Sequence, residues 1–259
     1  MIEEVKEDKF PTEVIELPSK GYFYSEENPL SSGKVFLRYM TSKHEDILLS
    51  KNLVQKGVVI DVLLKELIAT KGVNYDEILL GDKNAILFSS RVLAYGNNYL
   101  FESECKYCKN FSEHNINLLD LKYKEIDFSK FQKGIREIDF QLPYSKVNVT
   151  LKLLNSKDER ELNEELKSLK KISMKTGIDS EISTRIRKMI CAINGDSSYK
   201  TINKFVIEDL LSRDSLAIRN FMNKVSPDIE LEILVNCENC YKDNKIFLPI
   251  STEFFWPRG

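Results

Sequence analysis

Histidine is scarce in this chain, with two among 259 residues. That leaves almost no room for a Ser-His-Asp or Cys-His arrangement, and there is no His-Glu-x-x-His helix. Glycine is thin as well, at 10 residues. None of them builds a P-loop, a dinucleotide fingerprint or a Gly-x-Ser-x-Gly elbow. The zinc deaminase pattern, which needs a His-x-Glu ahead of its Cys-x-x-Cys, is missing. No apolar run approaches a membrane span, and the start Met1-Ile2-Glu3-Glu4-Val5-Lys6 has no signal-peptide core. Charge of one sign is not in excess: 38 basic residues face 40 acidic ones, a net charge of −2. A basic face for nucleic acid is therefore not expected. Together these absences predict a protein of a reducing cytoplasm, without enzymatic activity, membrane or nucleic-acid partner.

What cysteine there is carries a pattern. Four of the five cysteines form two pairs, Cys105-Lys106-Tyr107-Cys108 and Cys237-Glu238-Asn239-Cys240. Each pair lies between runs that read as strands: Tyr99-Leu100-Phe101 and Phe111 to Leu118 for the first, Leu231 to Val235 and Ile246-Phe247-Leu248 for the second. Strand, Cys-x-x-Cys turn, strand is the build of a zinc knuckle, and two knuckles supply the four thiolates of a closed tetrahedral site. A redox pair would sit at the start of a helix beside a βαβ pattern, which neither pair does. Structural disulfides need an oxidising compartment that nothing here supports. The expected cofactor is a structural zinc ion on Cys105, Cys108, Cys237 and Cys240. Cys191, in Met189-Ile190-Cys191-Ala192-Ile193, reads as a buried core thiol, and His114 as a strand surface residue.

Periodicity divides the rest. Residues 1–40 read as an extended arm and a strand, turning at Pro18-Ser19-Lys20-Gly21. Residues 41–96 read as helical: Ser42-Lys43-His44-Glu45 has the form of a capping box, a second helix is expected from Val58 to Thr70, and Asp82 is placed to cap a third that ends at Tyr95. Asp82 and Arg91 on this helix suit an ion pair as well as a site. Residues 97–118 with 229–250 make the ribbon module, so 119–228 is an insertion between its halves. Within it, Ile135 to Leu154 alternates as a β-hairpin, Ser156-Lys157-Asp158-Glu159 opens a charged helix, and further helices are expected over Ser180 to Ile193, Asn203 to Ser212 and Asp214 to Val225. Residues 251–259 form an aromatic tail. The fold class is α+β: helical segments around a discontinuous zinc-ribbon-like pair of β-knuckles, with an extended N-terminal arm. Tyr22, Phe23 and Tyr24 in the arm, and Phe254, Phe255 and Trp256 in the tail, either pack on the chain's own core or face a partner.

Several of these residues also carry a resemblance. Glu16-Leu17-Pro18-Ser19-Lys20-Gly21 with Tyr24, Thr41 to Leu48 with Glu45, Arg91, Tyr95-Gly96-Asn97-Asn98-Tyr99, the knuckle at Cys105 and Cys108, and Phe254-Phe255-Trp256-Pro257 resemble the baseplate hub assembly proteins of T-even-type contractile-tailed bacteriophages. The likeness covers roughly the first 120 residues, the second knuckle and the tail; the middle matches only in helical character. It implies a non-enzymatic phage tail protein, acting in the baseplate hub as a structural component or assembly factor. Its partners would be other baseplate or tail proteins in an oligomer or hetero-complex. Its place would be the host cytoplasm during assembly and, if it stays, the virion baseplate. The alternative is a zinc-ribbon nucleic-acid-binding or transcription adaptor, against which the charge balance argues.

Overall fold

The computed structural model describes residues 11–176, 180–248 and 252–255. Strand β1 (Thr12–Glu16) pairs antiparallel with β2 (Lys34–Arg38), Thr12 opposite Arg38. Three short helices follow, α1 (Ser42–Leu49), α2 (Lys51–Lys56) and α3 (Val59–Leu67), and then the longer α4 (Leu80–Tyr95). Strands β3 (Asn98–Glu104) and β4 (Phe111–Asn117) form a first hairpin. Strands β5 (Glu137–Gln141) and β6 (Asn148–Lys152) form a second. Helices α5 (Ser156–Thr176) and α6 (Glu181–Met189) lead to β7 (Ile190–Ile193), which joins the free edge of β6. Helix α7 (Tyr199–Lys204) runs into a π-helical turn, Phe205–Asp209, ahead of α8 (Ser212–Val225). Strands β8 (Glu232–Asn236) and β9 (Asp243–Phe247) make the last hairpin, and a 3-10 turn, Thr252–Phe255, ends the described chain.

The mixed α+β class expected from the sequence is what the structure has. Its sheets are all small, with two or three strands each. They cannot make a core alone. One cluster of buried side chains instead takes members from every part of the chain: Leu17 and Leu30 from the arm, Leu63 and Leu67 from α3, Ile86 and Phe88 from α4, Phe101 from β3, Leu151 from β6, Ile218 from α8, Val235 from β8 and Phe254 from the tail.

Helix α4 is where these parts are fastened. Near its first turn the buried Asp82 carboxylate accepts three bonds from the arm: Ser19 N–H at 2.9 Å, Ser19 Oγ at 2.7 Å and Tyr24 Oη at 2.6 Å. Tyr24 Oη in turn accepts the Leu79 N–H at 3.0 Å. Burial pushes the Asp82 carboxyl up to about 6 against the pull of those donors. Toward the other end, Arg91 is 1 % exposed and donates to the carbonyls of Phe254 (2.9 Å), Gly96 (2.8 Å) and Asn98 (3.3 Å). Tyr95 Oη donates to Glu45 at 2.8 Å, which brings α1 onto the same helix. Asp82 and Arg91 thus serve different segments and do not pair with each other.

Two glycines are required by close approach. At Gly81 a Cβ would meet the carbonyl oxygen of Pro227 at 1.7 Å, so only glycine lets the 227–228 backbone lie against α4. Gly21 has φ +75° and a Cβ there would meet Ser31 O at 2.3 Å, which closes the arm's turn.

The structure corrects several local expectations. Both capping boxes start one residue earlier than read. Thr41 is the N-cap of α1, its N–H bonded to His44 Nδ1 at 2.9 Å. Asn155 caps α5, with its Oδ1 accepting the Asp158 N–H at 2.9 Å. Asp82 does not cap α4; it lies inside the helix, and its side chain reaches back to the arm. The helix expected to run to Ile193 stops at Met189, because Ile190–Ile193 is claimed by the edge of β6. Helix α2 was not anticipated; its six residues carry too short an apolar pattern.

Candidate metal centre

The first and last hairpins are the same object built twice. In one, Ser103 faces Ser112 and Glu104 faces Phe111; in the other, Val235 faces Asn244 and Asn236 faces Asp243. Each turn is closed alike. The Cys105 carbonyl accepts the Lys109 N–H at 2.9 Å, and the Cys237 carbonyl accepts the Tyr241 N–H at 2.8 Å. The fifth residue of each turn is left-handed, with φ 63° at Lys109 and φ 57° at Tyr241. This conformation favours glycine, and neither knuckle supplies one.

The four cysteines meet where the hairpin tips face each other. Cys105 Sγ lies 3.7 Å from Cys240 Sγ and Cys108 Sγ 3.6 Å from Cys237 Sγ. All four sulfurs fall within 4.8 Å of one another. A tetrahedron with metal–sulfur bonds of about 2.3 Å sets its sulfurs about 3.8 Å apart, so the set has the dimensions of a closed four-thiolate site. These are free cysteines, not disulfides. The donor set therefore fits a metal ion on size and on chemistry.

Local backbone prepares the sulfurs unequally. The N–H groups of Cys108 and Tyr107 draw the Cys105 thiol down to about 6. Those of Cys240 and Asn239 lower Cys237. At Cys240 the Lys242 N–H pulls down, but burial and the neighbouring sulfurs prevail and push the thiol up to about 11. A metal ion held by Cys105, Cys108, Cys237 and Cys240 would take them as thiolates, so its binding would release their protons.

Beyond the cysteines, Ser112 and Asn244 come within hydrogen-bond distance of the sulfurs. No motif announced them; the only signal was their matching position in the two hairpins. Cys191 stands apart on β7 and is half-buried rather than fully buried, and burial raises its thiol. His114 is half-buried against Phe101, bonded through Nε2 to Ser103 Oγ at 3.0 Å, and is not among the clustered ligands.

The aromatic groups face inward. Phe23 and Tyr24 are buried, and Tyr22 is half-buried, tilted against Phe128 at 5.1 Å with its hydroxyl donating to Phe131 O at 2.8 Å. Phe254 and Phe255 are fully buried, Phe254 at 4.8 Å from Phe88 and 5.0 Å from Tyr99. These five rings pack on the chain's own core, Phe23, Tyr24, Phe254 and Phe255 fully and Tyr22 in part. Trp256 lies outside the described residues. On the two cysteine hairpins, Tyr107, Phe111, Tyr241 and Phe247 face solvent.

Among the described residues no helix is long and apolar enough to cross a membrane. No curated protein and no solved structure matches the chain. A sequence family described as T4 bacteriophage base plate protein does, over residues 14–256. That span begins in β1 and takes in α4, the inserted middle and both cysteine hairpins. The motifs that carried the resemblance (Ser19, Tyr24, Glu45, Arg91, the 96–98 turn and the tail) are the ties described above. With the match covering nearly all of its length, the chain belongs to the T4-type phage baseplate protein family.

Proposed function

We propose that this chain is a non-enzymatic component of the phage baseplate, acting in the hub or in its assembly. A zinc ion on Cys105, Cys108, Cys237 and Cys240 would hold its two hairpins together. The observation that carries the reading is the family match over residues 14–256. The metal part rests on the four-sulfur geometry. Four thiolates fill a tetrahedral shell and leave no position for a reactive water, which supports a structural ion over a catalytic one. When bound, such an ion supplies cross-linking: it joins a hairpin in the first half of the chain to one at its end, and its binding energy becomes folding energy. Its partners would be other baseplate or tail proteins, met in the host cytoplasm during assembly and retained in the tail if the chain is a permanent part.

Quantitative mass spectrometry of purified, intact particles tests the role. Several copies per particle would identify a permanent baseplate component. Presence in infected-cell lysates with absence from particles would identify an assembly factor that leaves. Absence of association with tail intermediates at any stage would overturn the reading. Elemental analysis of the purified chain tests the ion, with one zinc per chain expected.

A further inference from the structure

Because the two hairpins correspond position by position, side chains outside the cysteine set can be compared across them. Ser112 stands seven residues after Cys105, and Asn244 seven after Cys237. Each turns toward the first cysteine of the opposite hairpin. Ser112 Oγ lies 3.7 Å from Cys237 Sγ, and Asn244 Nδ2 lies 3.4 Å from Cys105 Sγ. Both residues are buried. The hairpins are therefore laced in both directions, each supplying two sulfurs and one polar group aimed at a sulfur of the other.

The Asn244 amide is held in one orientation. Its Oδ1 accepts the Lys106 N–H at 3.2 Å, and its Nδ2 donates to the Lys242 carbonyl at 3.0 Å. Reversing the amide would set carbonyl against carbonyl and N–H against N–H. Cys105 Sγ lies 3.5 Å from Oδ1, to which a protonated thiol donates, and 3.4 Å from Nδ2, whose second proton a thiolate, having none of its own, can only accept. Four thiolates around a divalent cation carry two excess negative charges in a place with little water. Outer donors to sulfur disperse that charge and fix the ligands. Asn244 also grips the Lys106 N–H inside the first Cys-x-x-Cys loop, so it sets where that loop sits relative to β9.

We propose that Asn244 is a positioning residue of the metal centre, orienting the Cys105 thiolate from the opposite hairpin and thereby governing how long the ion is retained, with Ser112 doing the same for Cys237 more weakly. This rests on the metal-binding reading above, and the experiment separates the two. The full-length chain is loaded with zinc for release into excess chelator, and with cobalt(II) for its thiolate-to-metal charge-transfer bands. Wild type, Asn244→Leu, Asn244→Ser and Ser112→Ala are compared. Asn244→Leu should release zinc about ten- to a hundredfold faster than wild type, and its cobalt charge-transfer band should move to lower energy as the sulfur loses its donor. Asn244→Ser, which installs the group found at the matching position, should recover part of both, and Ser112→Ala should shift both by less. A purely structural role would change the release rate and leave the band in place. If Asn244→Leu does not fold, the Asn244→Ser and Ser112→Ala series decides by the same two readouts. Wild-type release and wild-type bands in the variants would overturn the proposal while leaving the metal site intact. A wild-type chain giving no thiolate bands with cobalt would overturn both.

Discussion

At the scale of single residues, the left-handed positions of the knuckles are where sequence and conformation disagree. Lys109 occupies φ 63°, a region that costs a non-glycine residue about 1–2 kcal/mol, part of which glycine would return as lost chain entropy. Lys109→Gly is therefore expected to stabilise the metal-loaded chain by about 0.5–1 kcal/mol in urea unfolding. Losing its exposed ion pair with Glu104 offsets little of that. A lower midpoint in the variant would mean the turn depends on the lysine itself. Asp82 is the second test at this scale. Its carboxyl stands at about 6 in the folded chain against an ordinary 3.8, so the folded state holds the proton more tightly. The resulting contribution is fully present below pH 3.8 and is lost as pH rises through about 6. Relative to Asp82→Asn, wild type should gain about 1–3 kcal/mol between pH 7 and pH 4.5, metal loss at low pH being common to both. A difference that stays flat across this range would show a carboxylate kept ionised by its three donors.

At the scale of elements, the helix starts show how the sequence was and was not readable. Ser42 to Glu45 and Ser156 to Glu159 have the spacing of capping boxes, but the chain uses Thr41 with His44 and Asn155 with Asp158. The region was right and the residue was not, because Thr, Asn and Ser all accept the same backbone N–H and tertiary contacts choose among them. Ser156 is engaged elsewhere, its Oγ donating to Ile78 O at 3.1 Å. Asn155→Ala should accordingly cost about 1 kcal/mol, whereas a true cap at Ser156 would leave that variant near wild type; thermal unfolding reads the difference. Strand β7 was illegible for a different reason. Ile190-Cys191-Ala192-Ile193 is a short apolar run that suits helix or strand, and only the open edge of β6 decides it. The cysteine hairpins were legible because strand, turn and ligand chemistry agree within some fifteen residues. Asn244 was not, since its meaning appears only when the opposite hairpin is in place.

At the scale of the whole molecule, the four-cysteine cluster and α4 both bring distant segments together. Sheets of two or three strands bring little stability of their own, so the cross-link should matter globally. Cys237→Ser is expected to abolish zinc binding in elemental analysis and to lower the thermal midpoint by several degrees, and chelator should do the same to wild type. Cys191→Ser, away from the cluster, should keep one zinc per chain. A zinc-free wild type of full stability would remove the metal from the account. The fold class and the coming together of the four cysteines could be read from the sequence at this scale. The way arm, helix and tail converge on α4 could not, because Asp82 and Arg91 are single charged letters whose partners lie 63 and 163 residues away.

Order of synthesis gives that arrangement a further meaning. Cys105 and Cys240 are 135 residues apart, so at about 5–20 residues per second the first knuckle leaves the ribosome on the order of ten seconds before the sulfurs that complete its site. Until then Cys105 and Cys108 form half a ligand set, and Arg91 has no Phe254 carbonyl to hold. A nascent chain that has not yet reached Cys237 therefore lacks both closures at once. Closure of the ribbon is thus a late event in synthesis, open to the chain only once Cys237 and Cys240 have emerged.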